Sequence, residues 1–334
     1  LIGVFLLFVA SSLWRADDLR ELGERLRIGL PFLALPLAWS MLPAWQNWEK
    51  TAVAAFAAAF FCLNAAIALG YYATHYEAMQ ARITFSGAMW VPSGDHIRFS
   101  LMLVLAFFCA VWLMHQYRSR LAASAAFFLL VSLHLLAVRS GLLALYASLF
   151  VAALWYIFTQ RRFLLGAAML LAVAAAPVAA YYALPSFRTK INLTIYNVQL
   201  MQQGEIGNYA DTNRLLSYKI AWQIFRENPL LGVGMGNVRQ QVQDIYTRDY
   251  PAQPFLFPHN QILSYLVGMG IVGTGIFLLL FLLPLFVRGG LRSLPLLATY
   301  TALFASFLFE NTLFISIGTC MSLFFILFFR SIEQ

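Results

Sequence analysis

Charge is what this chain is short of. Lys, Arg, Asp and Glu make up 11% of its 334 residues, against 61% hydrophobic ones. A soluble domain carries about 25% charged residues. So thin a supply cannot coat a water-soluble globule of this size, and the mean hydropathy is +0.74. A soluble enzyme, a disordered chain and a nucleic-acid-binding protein are excluded. Cysteine is nearly absent. Cys62, Cys109 and Cys320 each sit in an apolar run, and three thiols so placed make neither a metal pattern nor a disulfide framework. No Met starts the chain. Leu1 lies inside an apolar stretch without a basic leader or a small-residue cleavage site, so this is not a signal peptide. Helices upstream of it are expected to be missing.

What is there is a series of long apolar runs. A spanning helix needs about 20 mostly apolar residues. Ten segments qualify as candidates: 1–14, 28–43, 51–71, 98–116, 121–138, 140–158, 163–183, 259–287, 293–310 and 312–329. The expected fold is all-α, a polytopic helical membrane protein with about ten visible spans, twelve in the full chain. Residues 1–183 read as membrane helices with short loops, 184–258 as a large extramembrane loop and 259–334 as C-terminal membrane helices.

The short loops at Arg118–Arg120, Arg161–Arg162 and Arg288–Arg292, with Lys50 and the tail at Arg330, fall on one side. That side holds eight basic residues and two acidic ones, Glu49 and Glu333, and reads as cytoplasmic. Most of the formal net charge of +8 therefore reports orientation. The long loop, residues 72–97 and the turn at Arg139 face outward. Residues 15–27 read as an interfacial amphipathic helix, because Leu19, Leu22 and Leu26 share one face.

The outward side is rich in arginine; the chain has 19 Arg and three Lys. Arginine offers planar, bidentate recognition of phosphate and keeps its charge. Arg139 sits in a tight turn between two apolar helices, where a charge needs an anion or polar network, unless it snorkels to the interface. Arg98 opens a helix after Gly94-Asp95-His96; it pairs with Asp95 or faces the same cavity. Arg82, before the small-residue run Thr84 to Ala88, is a further candidate. His259 follows Pro258 and opens a long apolar helix. An imidazole there suits a general base or a partner for a sugar hydroxyl; otherwise it only satisfies backbone polarity at a helix start. His134, five residues before Arg139, reads as a buried supporting residue. In the long loop, Asp211-Thr212-Asn213 cap a helix over 214–226, with Arg214 and Tyr218 on one face. Glu227-Asn228-Pro229 stops it, and a second helix runs over 237–246. The pair would make a lid or groove wall. The Gly232–Gly236 run lacks the flanking βαβ unit of a dinucleotide fingerprint.

These residues resemble the O-antigen ligase and polymerase superfamily. Arg214-Leu215-Leu216, Trp222 and Glu227-Asn228-Pro229-Leu230-Leu231-Gly232-Val233-Gly234 are similar to its Arg, aromatic and E-x-P-L-x-G-x-G loop. His259-Asn260, Leu263, Gly270 and Gly273 resemble its H-N-x-x-L…G-x-x-G helix start. Val138-Arg139-Ser140-Gly141 is similar to its S-R-G hairpin turn, with Ser and Gly displaced. There are two departures: the family often has Glu shortly before the paired glycines, where Gly268 stands here, and it usually has about twelve spans, where ten are read here.

The resemblance implies a metal-independent, cofactor-free glycosyltransferase of the bacterial inner membrane, with its active site facing the periplasm. The donor would be an undecaprenyl-pyrophosphate-linked glycan and the acceptor a sugar hydroxyl of lipid A–core, among membrane lipid. His259 would be the catalytic base. Arg139 and Arg214, with Arg98 or Arg82, would bind the pyrophosphate, and the anomeric carbon would invert. O-antigen polymerase and protein O-oligosaccharyltransferase are the alternatives within the superfamily; the short tail after the last helix favours the ligase. A lipid-linked glycan transporter is the alternative of another class.

Overall fold

The computed structural model describes residues 1–14, 19–84, 89–202, 210–287 and 289–332. The described residues form α-helices joined by short turns, without strands, as the all-α expectation holds. In chain order the helices are α1 (Ile2–Leu13), α2 (Leu19–Gly29), α3 (Pro31–Met41), α4 (Asn47–Thr74), α5 (Tyr76–Thr84), α6 (His96–Tyr117), α7 (Arg120–Leu136), α8 (Arg139–Phe158), α9 (Phe163–Ala183), α10 (Pro185–Gln202), α11 (Ala210–Glu227), α12 (Val238–Asp249), α13 (Gln261–Phe286), α14 (Leu294–Phe307) and α15 (Ser316–Ile332). Short 3₁₀ turns cover Gly290–Arg292 and Thr312–Phe314.

Five helices, α4, α6, α8, α9 and α13, are long and apolar enough to cross a membrane. Four more apolar helices, α1, α7, α14 and α15, are shorter. The run 28–43 does not form one span. Pro31 starts α3 as its first residue, which suits a ring that lacks an N–H. The 11 residues of α3 reach roughly 16 Å at 1.5 Å per residue, about half a hydrocarbon core. The loop before His259 holds one helix more than its polarity suggested. That helix is α10, whose Asn, Gln and Thr residues mask its helical character.

The chain divides into two compact units interleaved in sequence. The first comprises Leu1–Pro43, Leu200–Arg288 and Phe307–Leu327; the second comprises Ala44–Gln199, Gly289–Ser306 and Phe328–Gln334. In the second unit α6 packs against α4, α7 and α8, and α8 against α9. Helix α6 is apolar almost all round, which marks a central helix; Leu103 to Ala106, Cys109 and Ala110 are buried on successive faces. Asp95 caps it, with Oδ1 accepting from Ile97 N and Arg98 N at 3.1 Å each. The α7–α8 hairpin turns through Ala137 in left-handed backbone (φ 49°) and places Arg139 first in α8.

In the first unit α13 packs against α1, α11 and α12. One core is aromatic, running through Phe8, Phe32, Tyr265, Phe277 and Phe281 at ring spacings of 4.5–6.4 Å. The other joins the polar-looking helices. Leu216, Ile220 and Ile224 of α11 meet Val238, Val242 and Ile245 of α12 and Val267 of α13. The buried stripe of α11 therefore follows i, i+4 from Leu216. Leu215 and Trp222, apolar in sequence, stay 47% and 51% exposed.

Candidate active site

Helix α13 is broken at Gly270, whose backbone is left-handed (φ 64°). In an unbroken helix the Val267 and Gly268 carbonyls would accept from Ile271 and Val272. Here they accept from Val233 N and Gly234 N, both at 2.9 Å. The freed Ile271 N and Val272 N donate to the Pro229 carbonyl (2.9 Å) and the Leu230 carbonyl (3.2 Å). The segment Pro229–Gly234 thus replaces two consecutive helical bonds with four, which leaves no backbone group orphaned in an apolar setting. A Cβ at Gly270 would strike the Leu230 backbone, and one at Gly232 (φ 69°) would strike Val267 and Gly268. The two glycine-bearing motifs of the sequence are therefore one structural unit.

The N-terminal end of α13 carries His259. Asn260 caps the helix, its Oδ1 accepting from Leu263 N at 2.9 Å. The segment Leu308–Leu313, between α14 and α15, is tied to this end. Asn260 Nδ2 donates to the Leu308 carbonyl (3.2 Å), and Leu313 N donates to Gln261 Oε1 (2.7 Å). Ser264 Oγ donates to Asn311 Oδ1 (3.0 Å), and Asn311 Nδ2 donates to the Pro258 carbonyl.

That tie delivers Glu310. Its side chain is 3% exposed and holds two partners: Arg214 Nη2 donates to Oε1 at 2.8 Å, and His259 Nδ1 lies 3.0 Å from Oε2. A buried carboxylate requires such pairing, because desolvating a charge costs several kcal/mol. With a carboxylate as its partner, Nδ1 is the protonated nitrogen of the neutral ring, which leaves Nε2 as the acceptor. No bond to Nε2 is made among the described residues, and the His259 side chain is 27% exposed. The Tyr218 hydroxyl, one turn beyond Arg214 on α11, lies 2.7 Å from the His259 carbonyl and 3.2 Å from that of Leu308. The shared face of Arg214 and Tyr218 thus points at this cluster. Helix α11 starts at Ala210 rather than after Asn213; the side chains of Asp211 and Thr212, offered as its cap, lie outside the described residues.

The remaining candidates are in the second unit. Arg139 is exposed, and its Nη1 donates to Thr194 Oγ1 of α10 at 3.0 Å. Arg98 is ion-paired to Asp95 at 2.8 Å, so of its two expected partners the local one holds it. Arg82 is exposed on α5, and the run 85–88 after it lies outside the described residues. His134 is buried; Nδ1 lies 2.8 Å from the Leu130 carbonyl and Nε2 2.6 Å from the Tyr146 hydroxyl, which supports the α7–α8 packing. Among the described residues no group of three or more His, Cys, Asp or Glu could hold a metal ion.

Glu310 was the residue sequence reasoning missed. It closes the apolar run 293–310. The signal was its isolation, since only Glu333 is also acidic after Asp249. Glu310 comes from a different segment, 51 residues beyond His259.

Five helices of membrane-crossing length fit a multi-pass membrane protein, and a His–Glu–Arg cluster lies at the N-terminal end of one of them. Residues 124–278 match the family described as O-antigen ligase, and that match supports a likeness to the O-antigen ligase and polymerase superfamily, whose members are glycosyltransferase-like enzymes. The matched segment contains Arg139, Arg214 and His259; Glu310 lies beyond it. No curated protein matches the chain.

Proposed function

We propose that the protein is an O-antigen ligase of the bacterial inner membrane. It transfers a glycan from undecaprenyl pyrophosphate to a sugar hydroxyl of lipid A–core on the periplasmic side. The observation that carries this reading is the buried Glu310 carboxylate, which orients His259 with one oxygen and Arg214 with the other.

In this mechanism the acceptor hydroxyl gives its proton to His259 Nε2 as its oxygen attacks the anomeric carbon. The bond from that carbon to the pyrophosphate oxygen breaks, and undecaprenyl pyrophosphate leaves with the bonding electrons. Attack opposite the leaving group inverts the anomeric centre. Arg214 stabilises charge on the departing pyrophosphate, an electrostatic role. Motif order supports Arg139, with Arg98 and Arg82, as further pyrophosphate contacts. Glu310 acts through His259: it fixes the ring and offsets the imidazolium that forms, the logic of a carboxylate behind a catalytic histidine.

The test is glycan transfer by purified protein in detergent, supplied with donor and lipid A–core. The ligase reading requires product, and its loss in His259→Ala at normal expression. Product formed only when a second donor molecule replaces lipid A–core would make the protein a polymerase instead. Absence of any transfer without closed compartments, with uptake in vesicles, would make it a transporter.

A further inference from the structure

One cavity of the second unit has no part in the reaction above. It lies at the ends of α6 and α8 remote from Arg98 and Arg139, hence on the opposite membrane face. Its volume is about 270 Å³. Phe108, Val111, Leu294 and Pro295 make an apolar floor, and Arg162, Arg292 and His115 make a basic rim. Trp112, Trp155 and Tyr156 also line it, and no carboxylate is among the lining residues.

The rim is placed by backbone geometry. Helix α8 ends with Thr159 N bonded to the Trp155 carbonyl at 2.8 Å; Arg161 then turns left-handed (φ 56°), and Arg162 N returns to the Tyr156 carbonyl at 3.0 Å. Arg292 closes a 3₁₀ turn, with its N–H on the Gly289 carbonyl at 2.8 Å. A second observation points to an occupant. The Trp155 Nε1–H is buried without an acceptor among the described residues. An indole N–H can only donate, so a residue that lines the cavity carries one hydrogen bond that the described residues do not take up. Beside the rim the surface is apolar: Leu164 is 90% exposed, and Phe158, Phe163 and Leu291 are exposed too.

We propose that this cavity binds the headgroup of an anionic glycerophospholipid. The phosphate sits between Arg162 and Arg292, an ester or glycerol oxygen accepts from Trp155 Nε1, and the acyl chains lie along the exposed apolar residues of α9. Basic pockets between membrane helices recognise anionic headgroups in this way, and tryptophan favours this depth. The volume admits a phosphoglycerol group. The basic turns at this end do more than set orientation: they form a lipid site that anchors α6, α8 and α14.

Native mass spectrometry of the full chain in detergent tests this with phosphatidylglycerol, phosphatidylcholine of matched chains, and inorganic phosphate. The wild type should retain phosphatidylglycerol over phosphatidylcholine. Arg162→Gln with Arg292→Gln should lower that retention roughly tenfold or more, and Trp155→Phe a few-fold. Arg118→Gln with Arg120→Gln, on the same face outside the cavity, should leave it unchanged. Equal retention by the Arg162/Arg292 pair, or an equal loss in the Arg118/Arg120 pair, overturns the site. Displacement of the lipid by millimolar phosphate overturns the lipid as ligand in favour of a free anion. Should the double variant not fold, phosphatidylglycerol brominated on its chains must still quench tryptophan fluorescence of the wild type more than brominated phosphatidylcholine; equal quenching overturns the proposal.

Discussion

Two basic regions of this molecule carry their charge in different ways. In the first unit, Arg214 and His259 are pinned to a carboxylate of their own chain. In the second, Arg162 and Arg292 border a cavity with no carboxylate in its lining. An internal counter-ion fixes geometry before a substrate arrives, which is what a reacting centre needs. Its absence leaves the field of the arginines to an anion from outside. Counting arginines does not separate these cases; only their neighbours do.

Removing the acceptor of the proton tests the pinned region most severely. His259→Ala should lower glycan transfer on the order of 10³-fold, read as initial rate at matched protein level; near-normal rates would dissolve the contrast. Glu310→Gln keeps the side-chain shape and removes the counter-ion. A loss on the order of 10²-fold in kcat, with KM little changed, is expected. A rise in KM alone would make Glu310 a binding group.

Gly270→Ala forces a Cβ into the Leu230 backbone at a left-handed residue. It should cost about 2 kcal/mol or more, seen as a lowered unfolding midpoint in detergent. Asn311→Ala removes the two bonds that Asn311 makes to the Pro258 carbonyl and the Ser264 hydroxyl, at about 1.5 kcal/mol, in the same measurement. Smallest is the unpinned region: Arg162→Gln alone should weaken phosphatidylglycerol binding by about 1 kcal/mol, roughly fivefold by titration. A larger loss there than in Glu310→Gln transfer would invert the comparison.

Much of the fold was legible because hydropathy acts locally. Twenty apolar residues become a helix whatever surrounds them, so α4, α6, α8, α9 and α13 follow from composition. Helices α11 and α12 were legible from periodicity and the stop at Pro229, yet the buried stripe of α11 was not, since Leu215 and Leu216 are equally apolar. Helix α10 went unread because nothing in its pattern marks a face. His259 was legible from its place at a helix start, and Arg214 from its motif.

By itself, then, the sequence determined the class of protein, the extent of its long helices and the two ends of its candidate chemistry. The tertiary structure decided that the loop Pro229–Gly234 completes the broken α13, because a helix with freed backbone groups needs partners and only the fold supplies them. It also decided that Glu310 joins His259 to Arg214 across 51 and 96 residues of chain. Local pattern records what each segment buries along its own axis. Which segment supplies the counter-charge depends on where a distant turn is held, and that depends on bonds such as Asn311 to Pro258.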